Sequence, residues 1–323
     1  MTVTYDTDTL LGVQNSLDSD DTFLLDLFFP NIVTFDTSSI SFDKVDDDGR
    51  LAPYVSPMVA GKVMKAKGQV QKKFTPAYLK PKDVVDPERV LIRRAGEEVG
   101  GRMSPEQRRR IRRRLEHMAA QVLLQGKITV SGEDYPTVEV DYERTVGNTI
   151  VLTLGARWGE ATATPLDDIE AWGALSEAPI NTLVMDRKAY RNFVKNPDVQ
   201  KLLDGRRNSR SELETGPNNG RLFSYKGTVG SDIEVWVYSG YYRDEAGNKV
   251  NYLPDNTVIA GSAAIDGVRA FGAILDPVAG YQALEMFPKN WISDDPAAEF
   301  IMTQSAPLLI PRRPNASIAV TVR

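Results

Sequence analysis

Ala52-Pro53-Tyr54-Val55-Ser56-Pro57-Met58-Val59 and Gln69-Val70-Gln71-Lys72-Lys73-Phe74-Thr75-Pro76-Ala77-Tyr78-Leu79 are two extended runs. Between them lies a Gly-bounded basic turn region, Gly61-Lys62-Val63-Met64-Lys65-Ala66-Lys67-Gly68. Prolines at 53, 57, 76 and 81 withhold ladder donors, so these runs can serve only as edge or unpaired strands. A lone two-stranded ribbon is marginal in water and must lie on some surface. Two readings follow: an ordinary surface hairpin, or an arm that lies on a neighbouring subunit.

Outward from this stretch the pattern stays legible. Upstream, Phe23, Leu24, Leu27 and Phe28 recur at helical spacing between Asp21 and Phe29, and Pro30 ends the run. Ile32–Phe35 and Ile40–Phe42 read as short strands. This is a thin core for fifty residues and suits a segment that packs on something else. Downstream, Gly96 to Gly101 reads as a Gly-rich joint before a helix over about 105–125. Ser104 is its N-cap, Pro105 its first residue and Gln107 the partner of a capping box. Ile111, Leu115, Met118 and Val122 form one apolar stripe, and Gly126 marks the exit. Strand patterns follow at 127–130, 137–140 and 150–152, with Gly132 and Pro136 at the first turn. From about 164 the pattern is mixed. Thr164 and Pro165 open a helix, Ile180–Met185 reads as a buried strand, and Asp186 caps a helix to about Asn196. Ile233–Tyr238 alternates, Ala246-Gly247-Asn248 supplies a hairpin turn, and 300–310 and 317–322 close the chain as strands.

Ala52–Pro57 and Phe74-Thr75-Pro76-Ala77-Tyr78-Leu79-Lys80-Pro81-Lys82 resemble the extended-loop segments of lambda-type major capsid proteins of tailed phages. Asp167–Ala171, Ser211–Thr215, Ser224–Gly227, Leu253–Thr257, Pro288–Trp291 and Gln304–Leu308 resemble that family too, in the family's order. The resemblance implies an α+β chain with the Hong Kong 97-type capsid fold. It divides the chain into an N-terminal arm (1–50), an extended loop (51–95), a spine helix with peripheral domain (96–163), an axial domain (164–280) and a return to the peripheral domain (281–323). The helical stretch is shorter than the family's spine helix. The resemblance further implies hexamers and pentamers forming an icosahedral head around double-stranded DNA, assembled in the host bacterial cytoplasm. Expected partners are other copies of the chain, scaffold, portal, head-maturation protease and a small decoration protein. Pro53, Tyr54, Val55, Pro57, Phe74, Pro76, Tyr78 and Lys80 become candidate intersubunit or decoration-protein contacts. The alternative is that Tyr54, Phe74 and Tyr78 pin the loop to their own subunit. A nanocompartment shell of the same fold, or a polyanion-binding protein, are rival readings.

The 323 residues suggest roughly two domains of ordinary soluble composition, 41% hydrophobic and 26% charged. The absence of cysteine excludes disulfides, thiolate metal sites and cysteine nucleophiles. No run approaches the ~18 apolar residues of a membrane span. Asp6 and Asp8 stand where a secretory signal needs basic residues, so a cytoplasmic protein is expected. The net charge of −5 hides a split. Residues 1–60 hold eleven Asp and two basic residues, whereas residues 61–127 hold eighteen Lys or Arg and seven acids. Opposed blocks of this size can pair within a subunit or between subunits, or remain solvated.

Catalytic patterns are weak. His117 is the single histidine, and its stripe neighbours are apolar. Gly126-Lys127-Ile128 lacks the first glycine and the hydroxyl of a phosphate loop, and no Gly-x-Gly-x-x-Gly occurs. Asp46-Asp47-Asp48, Asp167-Asp168 and Asp294-Asp295 read as turn and helix-start acids. No catalytic residue, cofactor or metal is expected. Arg108, Arg109, Arg110, Arg112, Arg113 and Arg114 are different. Six guanidinium groups near a helix start oppose the macrodipole and repel one another. Glu106 and Glu116 are expected to neutralise part of that charge. Acids of a neighbouring subunit, packaged DNA or plain solvent would take the rest. No aromatic residues interleave with the arginines, which disfavours base stacking.

Overall fold

The computed structural model of the chain describes residues 22–37, 39–43, 51, 54, 57–58, 71–85, 96–132, 135–204, 212–213, 222–230, 232–294 and 297–323. The loop segments 44–50, 52–53, 55–56, 59–70 and 86–95 lie outside the described residues, and so does most of the first extended run.

The chain begins with helix α1 (Phe23–Phe28), then β1 (Asn31–Phe35), β2 (Ile40–Asp43), β3 (Gln71–Phe74) and β4 (Lys82–Val85). Helix α2 (Gly96–Gln125) is followed by the hairpin β5 (Lys127–Gly132) and β6 (Tyr135–Asp141), then by β7 (Thr149–Val151). Next come α3 (Pro165–Leu175), β8 (Thr182–Met185), α4 (Arg187–Lys195), α5 (Pro197–Asp204), β9 (Glu212–Leu213), β10 (Phe223–Val229) and β11 (Ile233–Tyr238). A second hairpin, β12 (Tyr241–Arg243) and β13 (Lys249–Asn251), precedes β14 (Thr257–Gly261), β15 (Gly267–Gly272), β16 (Phe287–Asp294), β17 (Ala297–Gln304), β18 (Pro307–Pro311) and β19 (Ser317–Thr321).

Helix α2 corrects the sequence reading. It starts at Gly96, so the expected joint is helical, the spine is 30 residues long, and Pro105 lies inside it. Proline deletes one backbone bond and crowds the carbonyl four residues back. That residue is Gly101, which has no Cβ of its own to add to the crowding. The expected capping box is not used. Ser104 is buried within the helix, and Gln107 reaches sideways to the sheet beside it. The other end behaves as read. Gly126 turns with φ +70°, and a Cβ there would sit 2.7 Å from that of Arg144. Arg144 donates to the last free carbonyls, Leu123 O and Leu124 O, both at 2.6 Å, which satisfies helix-end acceptors with a cation.

Two large clusters form the interior. One holds α1, the stripe Ile111, Leu115, Met118 and Val122, and strands β15 and β18. The other packs α3 and α4 against one face of a seven-stranded sheet ordered β7-β19-β14-β8-β11-β10-β9. Strands β8 and β14 are buried along their whole length, as central strands are. Asp186 caps α4 by accepting from Lys188 N and Ala189 N, as its position in the sequence implies. Two three-stranded sheets, β1-β15-β18 and β16-β17-β4, complete the frame.

Ser317–Thr321 pairs with β14 and β7 in the seven-stranded sheet, while Gly267–Gly272 joins β1 and β18. The stretch 300–310 is two strands divided at Ser305 and Ala306, and Pro136 lies inside β6. Residues 22–35 pack on their own chain. Strand β1 runs parallel to β15, and Phe23, Leu24, Leu25, Phe28 and Phe29 are all buried.

Candidate assembly surface

The arm is held by one carboxylate. Glu116, fully buried on α2, accepts from Leu24 N and Leu25 N at 2.9 Å each and from Tyr238 Oη at 2.7 Å. It therefore satisfies two of the four orphan donors at the start of α1. Burial pushes its pKa up to about 7, against the pull of those three donors. At the other end of α1, Arg269 donates to Phe29 O at 2.6 Å, Leu25 O at 3.1 Å and Asp26 at 2.6 Å. An anion at the helix start and a cation at its end both agree with the macrodipole. Phe23 stacks on Phe223 and Tyr238, which ties the arm to the seven-stranded sheet. Little in the sequence pattern separates Glu116 from its arginine neighbours. Its position one residue beyond Leu115 of the stripe was the one available signal.

The second extended run is also anchored. Strand β3 pairs antiparallel with β2, and β4 pairs with β17. Pro76 is buried and Phe74 packs on the core of α1 and α2. Tyr78 Oη donates to Ala273 O at 2.9 Å and accepts from Leu275 N. Lys80 is exposed and lies 4.7 Å above the Tyr78 ring. On the first run, Tyr54 and Pro57 are exposed, as are Leu51 and Met58, with Tyr54 and Met58 above 90%. Pro53 and Val55 lie outside the described residues. The loop candidates thus divide between anchors on the home subunit and side chains that reach solvent.

The arginine row faces several ways. Arg110 pairs with Asp83 of β4 at 3.0 Å, and Arg109 and Arg113 share Glu106 at 3.6 Å each. Arg108 and Arg112 are half-buried and Arg114 is exposed. Glu116 points away into the core, so it does not offset this charge as the sequence suggested. Gln107 fixes the row's direction. Its amide donates to Asp83 and Ile301 O at 2.8 Å and accepts from Thr303 Oγ1 at 2.9 Å. Arg109, Arg110, Arg113 and Arg114 line a groove of about 1040 Å³ between α2 and the β12–β13 hairpin, whose Arg243 faces them. His117 sits half-buried in the same groove, edge-on to Tyr242 at 5.0 Å, and burial beside Arg114 lowers its pKa. Asp168 accepts from Trp158 Nε1 at 2.8 Å in the first turn of α3, a structural use of that acid pair. Asp46-Asp47-Asp48 and Asp295 lie outside the described residues.

The chain is similar to known proteins over its whole length. Residues 6–322 match the family model described as phage major capsid protein E. It is 37% identical to the major capsid protein of Escherichia phage lambda over 98% of each chain. The same values hold for that of Enterobacteria phage phi80. It is 35% identical, over 93% of each chain, to a P21 prophage-derived major head protein of Escherichia coli O6:H1. A crystal structure of a prophage capsid protein from E. coli superposes with a TM-score of 0.76 at 26% identity, covering both chains completely. The SrpI encapsulin of Synechococcus elongatus superposes at 0.52 with 10% identity over 96% and 94% of the two chains, a likeness of fold alone. The capsid structures among these neighbours bear out the Hong Kong 97-type α+β fold expected from the sequence, and the chain belongs to the phage major capsid protein E family.

Proposed function

We propose that this phage-head major capsid protein assembles as hexamers and pentamers into an icosahedral shell around double-stranded DNA. The whole-length match to phage major capsid proteins carries the reading. Its mechanism is interface geometry. The arm and the second run are fixed on the home subunit, leaving Leu51, Tyr54 and Met58 as apolar side chains with no cover. Such side chains gain about 1.5–3 kcal/mol each when a neighbour buries them. Tyr54, Pro57 and Lys80, together with Pro53 and Val55, form the intersubunit or decoration-protein contact. Phe74, Pro76 and Tyr78 hold that contact in position. Scaffold, portal and head-maturation protease act on the assembling shell in the host cytoplasm, and the arginine row supplies ion pairs at a subunit boundary or towards DNA. The encapsulin likeness at 10% identity favours no nanocompartment reading. Sedimentation and electron microscopy of the expressed chain test the proposal. Closed shells or capsomers are expected, and a strictly monomeric species under all salt, crowding and scaffold conditions would sink it.

A further inference from the structure

The groove between α2 and the β12–β13 hairpin is lined mainly by positive charge. Five arginines, Arg109, Arg110, Arg113, Arg114 and Arg243, line it against two acids, Asp244 and Glu245, a net lining charge of +3. Glu106 and Asp83 lie beside the row and contact three of the five at 3.0–3.6 Å. A second cavity, of about 380 Å³ beside α3, has no arginine in its lining. Thr22 forms part of the groove wall, because Glu116 and Arg269 fix α1 directly behind it. The residues that precede Thr22 contain Asp6, Asp8, Asp18, Asp20 and Asp21 and no lysine or arginine.

We propose that this arginine-lined groove is an anion site whose resident ligand is the chain's own acidic segment, residues 1–21. The site would also accept a polyphosphate or phosphate backbone when that segment leaves. The proposal rests on the reading of the arginine row as an ion-pair surface and names its partner. Three observations point the same way. The signs are opposite, the groove of about 1040 Å³ has room for several carboxylates, and the segment is tethered at the groove wall. Tethering matters because a ligand attached through a short flexible linker acts at an effective concentration of roughly millimolar, so weak individual pairs suffice. The three aspartates nearest Thr22, Asp18, Asp20 and Asp21, are held closest to the arginines by covalent chain length alone. A neighbouring copy's segment would have to arrive from solution without that advantage. In this way one groove distinguishes a free subunit, with its acids seated, from a subunit in contact with a polyanion.

The test uses the full chain, unassembled and dilute. Inorganic tripolyphosphate is titrated by calorimetry into the natural chain and into a variant carrying Asp6→Asn, Asp8→Asn, Asp18→Asn, Asp20→Asn and Asp21→Asn. Removal of the acids should tighten tripolyphosphate binding about tenfold. Adding Arg109→Gln, Arg113→Gln and Arg114→Gln should abolish that gain. The cysteine-free sequence allows a second readout that does not depend on any added anion. Spin labels at Thr9→Cys and Ala246→Cys should report a short distance that lengthens in about 0.5 M salt. Equal tripolyphosphate affinity in both chains, or a long and salt-independent distance, would overturn the assignment. A short distance seen only when singly labelled chains are mixed would give the groove to a neighbour's segment instead and overturn it equally. Because both readouts are taken before assembly, a chain that builds normal shells yet fails them separates this inference from the proposed function.

Discussion

Glu116 shows what one residue can decide. Its carboxylate joins the arm, α2 and β11 through three donors, so replacing it disturbs three elements at once. Glu116→Gln keeps the volume but turns one acceptor into a donor facing a backbone N–H. The expected cost is about 1–3 kcal/mol in urea unfolding, with increased proteolysis near the arm. The pH dependence has a definite sign. The folded pKa, about 7, lies above the ordinary value of 4.5, so the folded state keeps a proton that the unfolded chain has lost. Stability should therefore fall as pH rises from about 4.5 to 7 and level off above that, by roughly 3 kcal/mol from this group. Urea midpoints at pH 5 and pH 8 check it, and Glu116→Gln should flatten the difference.

At the scale of elements, the extended loop and the arginine helix make separate predictions. Deleting residues 61–68, which lie outside the described residues, should leave the fold intact. The strand that follows is anchored by its pairing with β2, by buried Pro76 and by Tyr78. Circular dichroism should be unchanged while electron microscopy shows assembly impaired; global unfolding would place that turn in the subunit's own core. Replacing Arg109, Arg110, Arg112 and Arg113 by Gln should alter assembly yield more than nucleic-acid affinity. Exposed ion pairs contribute at most about 1 kcal/mol each, but several at one boundary set its register. Assembly and DNA binding over a salt series decide the ranking. A normal yield with a flattened plot of log affinity against log salt would make the helix a DNA-contact surface.

For the whole molecule, shell formation should depend on the first extended run more than on the second. Tyr54→Ala together with Met58→Ala removes apolar surface that stands almost fully exposed, so the monomer's melting temperature should barely move. Sedimentation should then show fewer or less stable shells. Phe74→Ala or Tyr78→Phe should instead lower the melting temperature, because those side chains are bound to their own subunit.

The sequence by itself determined the order of elements wherever a local rule applied. The stripe of α2, the cap at Asp186, the alternation of Ile233–Tyr238 and the turn at Gly247 depend on neighbours within a few residues, so they survive without a fold. Together with the ordered run of capsid-like segments, they made the fold class legible. Only the tertiary structure decided the rest. Gly96–Gly101 reads as a joint but is helical, continuous with the rest of α2, although each glycine carries a propensity cost of about 1 kcal/mol. Glu116 reads as one more surface acid but is buried, since its partners lie about ninety and more than a hundred residues away in sequence. The thin-cored arm completes its core with strands from the far end of the chain. Such long-range partners leave no mark on local periodicity, so the arm's attachment and the arginine groove became readable only when distant strands were brought together.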